Sequence, residues 1–361
     1  MLRFSFIVFL LSSLICVAQP NLLNAKTPKE IGLKNANQLK YDNTKPLDYG
    51  YIDDRDVMFG KRIWEYIDIQ QRINFPLYYP TRPLMDRRPL FDVLREYVQS
   101  SQKNNVNIKD FCFQDDYFSI PLDASEAESK FYDFRLTKQG DDNVTKNFNP
   151  TKIDPAKDPS GFRKLCLKLI ADKTLKEGPD YKTADLNAVD LKGFKIQGYW
   201  YFDKRLSELK YRLIAIAPVA SSAKSIVDAT MGQQEIEDEY TLIIENQGSP
   251  LSPQQEDDKK AKLKIYEEMS APDILFWIYY PAIRKTLKVN PTFNDRNSSK
   301  PINFDDVLIS RRFNAVVYKE ENVQGDRMIE KYKPNDAMDQ LLESERVKEK
   351  IRDYEHDMWN Y

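Results

Sequence analysis

The chain is short of the residues on which most enzyme active sites depend. It has a single histidine, His356, and only 11 glycines in 361 residues. None of these glycines forms the G-x-x-x-x-G-K-[S/T] or G-x-G-x-x-G loop that cradles phosphate groups. One histidine and a few scattered cysteines also fall short of the ligand set of a zinc site. The sequence therefore predicts no catalytic, cofactor-binding or metal-binding residues.

Acidic residues occur in adjacent pairs, which do not form an acid–base site by adjacency. The pairs include Asp53-Asp54, Asp115-Asp116, Asp141-Asp142 and Asp305-Asp306. Neighbouring side chains on a helix or strand point in different directions. Glycosidases, however, bring together two carboxylates that are distant in sequence. A secreted hydrolase with scattered carboxylates therefore stays the alternative function, and a carrier of a small ligand, which would need an enclosed apolar cavity, is a third.

Two of the three cysteines, Cys112 and Cys166, lie in apolar stretches of the chain. One interpretation is a pair of buried thiols that pack as small hydrophobic side chains. The other is a single disulfide, which an oxidising compartment would permit. Both interpretations stay open, because the sequence does not place the two Cα atoms within bridging range.

The N-terminus is typical of a secretory signal peptide. Arg3 precedes an apolar run from Phe4 to Val17, which is shorter than the roughly 20 apolar residues that span a bilayer. Cleavage is expected after Ala18, or as late as Ala25. No later stretch resembles a membrane span, and a net charge of −2 gives no general attraction to nucleic acid or anionic lipid. We therefore expect a soluble, exported protein.

The fold class predicted from composition is α+β, with two helix-rich segments around a central antiparallel β-hairpin region and a long C-terminal helix. The predicted segments are a signal peptide (1–18), an extended N-terminal arm (26–50), a first helix-rich segment (51–150), a β-hairpin region (151–246), a charged connector (247–262), a second helix-rich segment (263–332) and a C-terminal amphipathic helix (333–361).

Aromatic and branched residues predict strands in the middle of the chain. The hairpin strands are expected at 195–202 and 209–216, joined by a polar turn, with further strands at 240–244 and 314–318.

Helical spacing of apolar residues predicts an amphipathic helix that begins near Asp53 and ends at Asn74-Phe75-Pro76, and a second from Pro89 to Val98. Two more helices are expected to begin at Asp273 and Asn303. In both places the order is a helix, a proline-containing loop and a helix with a Phe-Asp pair. The recurrence predicts an internal duplication.

Tyrosine and arginine residues are concentrated after the first predicted helix. Tyr78, Tyr79, Arg82, Arg87 and Arg88 lie within eleven residues of one another. Tyrosine and arginine are enriched among the residues that dominate the binding energy of protein interfaces. We interpret these five residues as a candidate partner-docking surface.

A series of short motifs extends from about residue 51 to the C-terminus. These are Trp64–Asp68, Asn74–Pro80, Arg88–Leu94, Tyr199–Lys204, Ile214–Pro218 and Tyr354–Trp359. In this order they resemble the GldN family of gliding-motility proteins, called PorN in species that do not glide. The resemblance implies a non-catalytic periplasmic component of the type IX secretion system of Bacteroidota.

The same resemblance implies specific partners and a location. A GldK- or PorK-like lipoprotein would form a multi-copy ring with this chain at the inner face of the outer membrane. A GldM- or PorM-like motor protein would contact the ring from the inner membrane. Association with the membrane would be indirect, through the lipoprotein, and no cofactor is implied.

Overall fold

The computed structural model describes residues 45–84, 87–103, 107–148, 153, 157–294, 302–334 and 336–358. The predicted signal peptide and most of the predicted arm lie outside these residues. The described part of the arm, from residue 45 to 50, forms neither helix nor strand. No helix in the described ranges is long and apolar enough to cross a membrane.

Eleven strands and eleven α-helices are formed by the described residues. The strands are β1 (Val57–Asp68), β2 (Cys112–Phe113), β3 (Tyr132–Leu136), β4 (Tyr181–Asp185), β5 (Gly193–Asp203), β6 (Glu208–Ala220), β7 (Asp273–Ile274), β8 (Trp277–Tyr279), β9 (Pro291–Thr292), β10 (Ile302–Asn303) and β11 (Val316–Glu320). The helices are α1 (Phe75–Tyr78), α2 (Leu90–Lys103), α3 (Ala124–Phe131), α4 (Lys138–Asn143), α5 (Pro159–Ala171), α6 (Ala223–Gln247), α7 (Pro253–Met269), α8 (Tyr280–Val289), α9 (Phe304–Ile309), α10 (Ile329–Tyr332) and α11 (Ala337–Met358). Helices and antiparallel strands together confirm the predicted α+β class.

The chain forms two compact units, each built from segments that are distant in sequence. The described residues of the first unit fall within Met1–Tyr97, Gln197–Ile214 and Tyr280–Tyr361, and those of the second within Val98–Ile196 and Ala215–Tyr279. Each unit therefore combines parts of several of the segments that composition distinguishes.

The sheet of the first unit has the strand order β11-β1-β5-β6. Trp64 of β1 lies opposite Lys319, and Glu65 lies opposite Val317, with a shift of register between them. The extra residue of this β-bulge is Tyr318 of β11, because its neighbours Lys319 and Val317 pair with consecutive residues of β1. Ile63, Trp64 and Glu65 are all buried, so both faces of β1 are covered here and the alternation typical of a strand is lost. The helix predicted from Asp53 to Asn74 is therefore wrong.

The central hairpin is confirmed as β5 and β6, with a turn at 204–207. Asp203 at the end of β5 is 1% exposed and accepts a hydrogen bond from the backbone N–H of Arg205 at 3.0 Å. Ser207 supplies the positive φ of 51° that closes the turn.

Helix α11 contributes to the core of the first unit, so the predicted C-terminal helix is confirmed. A buried cluster joins it to β1, β11 and α10, and consists of Ile63, Val317, Ile329, Val347 and Ile351. Of the apolar face expected along this amphipathic helix, Val347 and Ile351 are buried. Met338, Leu341 and Leu342 in the first turns are exposed.

In the second unit, the C-terminal part of β6 pairs with β7 and β8, and β8 pairs with β2. Strands β3 and β4 form a separate antiparallel sheet that packs against α6. A second buried cluster consists of Val144, Cys166, Leu175 and Tyr181.

The strand predicted at 240–244 is wrong, because these residues are helical. The predicted strand 240–244 lies inside α6, which begins at the N-cap Ser222 and ends at Gly248 with a φ of +62°. The predicted charged connector contains the start of α7, where Ser252 and Gln255 form a capping box around Pro253. These cap residues were the sequence signals that should have indicated helices.

The predicted second copy is confirmed only in part. Helices α2 and α9 lie where helices were expected at Pro89 and Asn303, and β11 matches the strand expected at 314–318. The helix expected at Asp273 begins instead at Tyr280, because Asp273 pairs with Ala220 in β7. The duplication itself stays a prediction.

Candidate partner-binding surfaces

Helix α1 of the first unit presents a row of aromatic rings. Leu77 is buried and anchors this single turn, while Tyr79 is 48% exposed. The Tyr79 ring contacts the Tyr78 ring edge-on at 4.8 Å and the Phe75 ring edge-on at 5.2 Å between centroids. Edge-to-face contacts of this kind stabilise aromatic clusters. The two predicted tyrosines therefore lie together, with Tyr79 as the more exposed one.

Phe293 extends this surface and was missed by the sequence analysis. Phe293 directly follows β9. The Thr292 hydroxyl of β9 donates a hydrogen bond to the Pro76 carbonyl of α1, which links this strand to the helix. The Arg87 guanidinium lies 4.8 Å from the centre of the Phe293 ring, which is partly exposed. We call this surface the aromatic patch, and it consists of Phe75, Tyr79, Arg82, Leu84, Arg87 and Phe293. Because about 200 residues separate its two parts, only the fold brings them together.

The three predicted arginines have different surroundings. Arg88 donates to the side-chain carbonyl of Asn290 through Nε at 3.1 Å and Nη2 at 2.9 Å, and it also pairs with Glu96. Its role is therefore internal. Arg87 packs on the Phe293 ring of the patch. Arg82 is exposed and makes no hydrogen bond or ion pair with the described residues, so its guanidinium is available to a partner.

A cleft of about 710 Å³ forms a second surface of the first unit. The hairpin β5–β6 contributes Tyr201, Arg205 and Arg212 to its lining, and α8 and the end of α9 contribute Arg284 and Arg312 among others. Its lining is rich in charged and aromatic side chains. The cleft is therefore not the enclosed apolar cavity that a carrier of a small apolar ligand would need.

Residues Leu47–Ile52, which we call the strap, line one side of this cleft. The ring of Tyr49 lies between two guanidinium groups. The Cζ atom of Arg212 is 4.6 Å from its centre and that of Arg284 is 4.2 Å away. Cations over an aromatic face attract its negative quadrupole. Tyr49 is thus held from both sides.

The main chain of the strap is held as well. Arg212 Nη2 donates to the Gly50 carbonyl at 3.3 Å, and Arg205 Nη2 donates to the Tyr51 carbonyl at 2.9 Å. These bonds depend on the backbone of the strap and not on its side chains. The described end of the predicted arm is therefore docked on the first unit.

Arg284, one of the two arginines that contact the Tyr49 ring, is itself held by a buried carboxylate. Arg284 Nε lies 3.2 Å from Asp305 Oδ1, and the Tyr280 hydroxyl donates to the same oxygen at 2.7 Å. All three side chains are buried. Burial and the adjacent Asp305 both raise the pKa of Tyr280, so its hydroxyl stays a donor. Since Asp305 pairs with Arg284 and Asp306 with Lys288, this adjacent pair does not act as one site.

A second ion pair joins the buried Glu65 of β1 to Arg311, whose side chain is 24% exposed. Arg311 binds Glu65 in a bidentate manner, with Nη1 to Oε2 at 2.8 Å and Nη2 to Oε1 at 2.7 Å. Its guanidinium also lies 4.1 Å from the centre of the Tyr211 ring and 5.2 Å from that of Trp200. Glu65 is fully buried. Burial is the main cause that raises the pKa of Tyr211.

Both described cysteines are free and buried, so the structure does not contain the disulfide that the sequence left open. Burial raises the pKa of the Cys112 thiol to about 12 and that of Cys166 to about 11. These values suppress the reactive thiolate at neutral pH. Cys112 lies in a strand opposite Ile278, and Cys166 lies on α5 in its own core cluster. They therefore pack as small hydrophobic side chains.

His356 lies exposed in the last turn of α11. Within the described ranges, no group of three or more histidine, cysteine, aspartate or glutamate side chains is arranged to hold a metal ion.

The fold is α+β, and its exposed aromatic and arginine side chains have the chemistry of a protein interface. A family model described as gliding motility associated protein GldN matches residues 52–360, and the chain belongs to this family. It is thus a protein associated with gliding motility. No curated protein sequence matches the chain.

Proposed function

We propose that this protein is a non-catalytic structural component of the type IX secretion and gliding machinery. In this proposal it resides in the periplasm and forms a ring with a GldK- or PorK-like lipoprotein under the outer membrane. The ring contacts a GldM- or PorM-like motor protein. Membership of the GldN family over residues 52–360 is the observation that carries this proposal, and the predicted signal peptide supports the location.

The aromatic patch is the surface that we assign to partner binding. Its rings stay partly exposed although the chain has large cores in which to bury them. Aromatic side chains lose little conformational entropy for the contact area they provide, and the planar guanidinium of arginine supplies several hydrogen-bond donors, which is why both recur as hot spots. Tyr79 and Arg82 would be the central contacts.

A ring of many identical subunits requires two different surfaces on each subunit. Such contacts are heterologous, since a surface that binds its own copy closes a dimer. The first unit carries two surfaces of different chemistry, the aromatic patch and the cleft. This difference is compatible with a head-to-tail arrangement.

The experiment is a pull-down of the purified lipoprotein partner with two variants, Tyr79→Ala and Arg82→Glu. Both side chains are exposed, so the variants are expected to fold normally. Loss of an interface hot spot costs about 2 kcal/mol or more, which is about 30-fold in affinity. Arg88 is unsuitable for this test, because its contacts with Asn290 and Glu96 are internal.

Matched controls are Tyr117→Ala and Arg352→Glu. Tyr117 is 45% exposed, which is similar to the 48% of Tyr79. Arg352 is exposed on α11. Wild-type affinity in the controls and weak binding in the patch variants would support the assignment. Undiminished capture of the lipoprotein by the Tyr79 and Arg82 variants would show that the aromatic patch is not the binding surface.

A further inference from the structure

We infer that the cleft of the first unit is a receptor for an extended acidic peptide segment of another protein. The segment would lie beside the strap and place a carboxylate between Arg212 and Arg312. This inference does not depend on the aromatic patch or on the identity of the ring partners.

The basic side chains of the cleft fall into two groups. In the first group, Arg284 is neutralised by Asp305, Arg205 is paired with Asp56 at 3.0 Å, and Lys210 is paired with Asp203 at 3.8 Å. Arg212 and Arg312 line the same cleft, and neither forms an ion pair with a described residue. Two cations that line one cleft together attract an anionic group to it.

Arg212 also has an unused donor. Its Nη2 is bonded to the Gly50 carbonyl, but its Nε is buried and has no hydrogen-bond partner among the described residues. Buried donors are nearly always paired in folded proteins, by protein, water or ligand. A carboxylate oxygen beside Arg212 would satisfy this N–H and add a charge-assisted hydrogen bond.

The strap shows how the cleft binds an extended chain. Arginine side chains bind its carbonyl groups, and two guanidinium groups enclose the Tyr49 ring. A second segment would use the same chemistry, with carboxylates for Arg212 and Arg312 and a ring or aliphatic side chain against Leu206 and Ile309. A peptide with alternating acidic and aromatic residues combines these groups.

The size of the cleft favours a peptide over a single small anion. Its 710 Å³ lies within the range of about 300–1,000 Å³ in which proteins bind ligands of several functional groups. An inorganic phosphate would satisfy Arg212 and Arg312 but would leave most of this volume to water. Because a carboxylate and a phosphate offer similar oxygens, the experiment has to separate the two.

The probe is a fluorescein-labelled (Glu-Tyr)₃ peptide, titrated with the full mature chain and followed by fluorescence anisotropy. We expect saturable binding, and about tenfold weaker binding to Arg312→Ala, since a charge-assisted hydrogen bond is lost. Arg312 is exposed and unpaired, so its removal is not expected to affect folding. Arg212→Ala tests the second contact, with circular dichroism to verify that the variant is folded.

The controls are Arg82→Ala, which removes an exposed arginine outside the cleft, a (Lys-Tyr)₃ peptide and inorganic phosphate as a competitor. Wild-type binding by Arg82→Ala and no binding of the lysine peptide would support the inference. Three results would overturn it: unchanged affinity in Arg312→Ala, an equal loss in Arg82→Ala, or full displacement by millimolar phosphate. The last would identify a site for small anions.

Discussion

The ion pair of the buried Glu65 with Arg311 is expected to be sensitive to the loss of either partner. Removing the guanidinium in Arg311→Ala leaves the Glu65 carboxylate buried without a counter-charge. Its two hydrogen bonds of 2.7 and 2.8 Å are lost, together with the stacking on Tyr211. Breaking a buried ion pair from one side costs about 3–5 kcal/mol. We expect a loss of this size in the free energy of unfolding.

The chain offers a matched control in the next residue. Arg312 has the same side chain but is exposed and has no partner among the described residues. Arg312→Ala is therefore expected to change the free energy of unfolding by no more than about 0.5 kcal/mol. Arg311→Lys keeps the charge but cannot bind Glu65 in a bidentate manner, so its loss should lie between those of the two alanine variants.

The assay is urea unfolding followed by tryptophan fluorescence, because Trp200 lies against the Arg311 guanidinium. A double-mutant cycle with Glu65→Gln isolates the pair from the other contacts of each residue. Its coupling energy should be large and favourable. Equal stability of the Arg311→Ala and Arg312→Ala variants would refute the reasoning, since it would show that the buried carboxylate does not need its partner.

Two further predictions concern buried groups in the second unit. Cys112 and Cys166 should react with a thiol reagent at pH 8 only after unfolding. Because their folded pKa values of about 12 and about 11 lie above the ordinary thiol value of 9.0, their stabilising effect is complete below pH 9 and is lost as the pH rises through 11–12. Gly232→Ala should destabilise by about 1–3 kcal/mol, as its Cβ would lie 2.1 Å from the Tyr266 ring, whereas Gly50→Ala meets no atom. Titration with a thiol reagent tests the first prediction, and reaction of the native protein would contradict it. Urea unfolding tests the second, and an unchanged free energy of unfolding in Gly232→Ala would contradict it.

The parts of the fold that follow local rules were predicted from the sequence. The hairpin β5–β6 has dense aromatic and branched residues with a polar turn, and α11 has a regular charged and apolar pattern. Strand β1 was not predicted, because its buried residues do not alternate and because it pairs with β11, about 250 residues away. The strand expected at 240–244 was wrong because branched residues also occur in helices when caps such as Ser222 fix the helix start.

The candidate surfaces were predicted only where their residues are close in sequence. Tyr79 and Arg82 lie where a partner-docking surface was expected, but the internal role of Arg88 depends on Asn290. The cleft was missed, since its arginines come from the hairpin, α8 and the end of α9. A local sequence pattern cannot predict a surface whose residues are brought together only by tertiary packing.

The measurement closest to the central claim is purification of the tagged chain from the native cell envelope, followed by imaging of the particles. The account predicts rings that contain many copies of this chain together with a lipid-anchored partner. A solitary monomer that persists when the purified lipoprotein is added would contradict it.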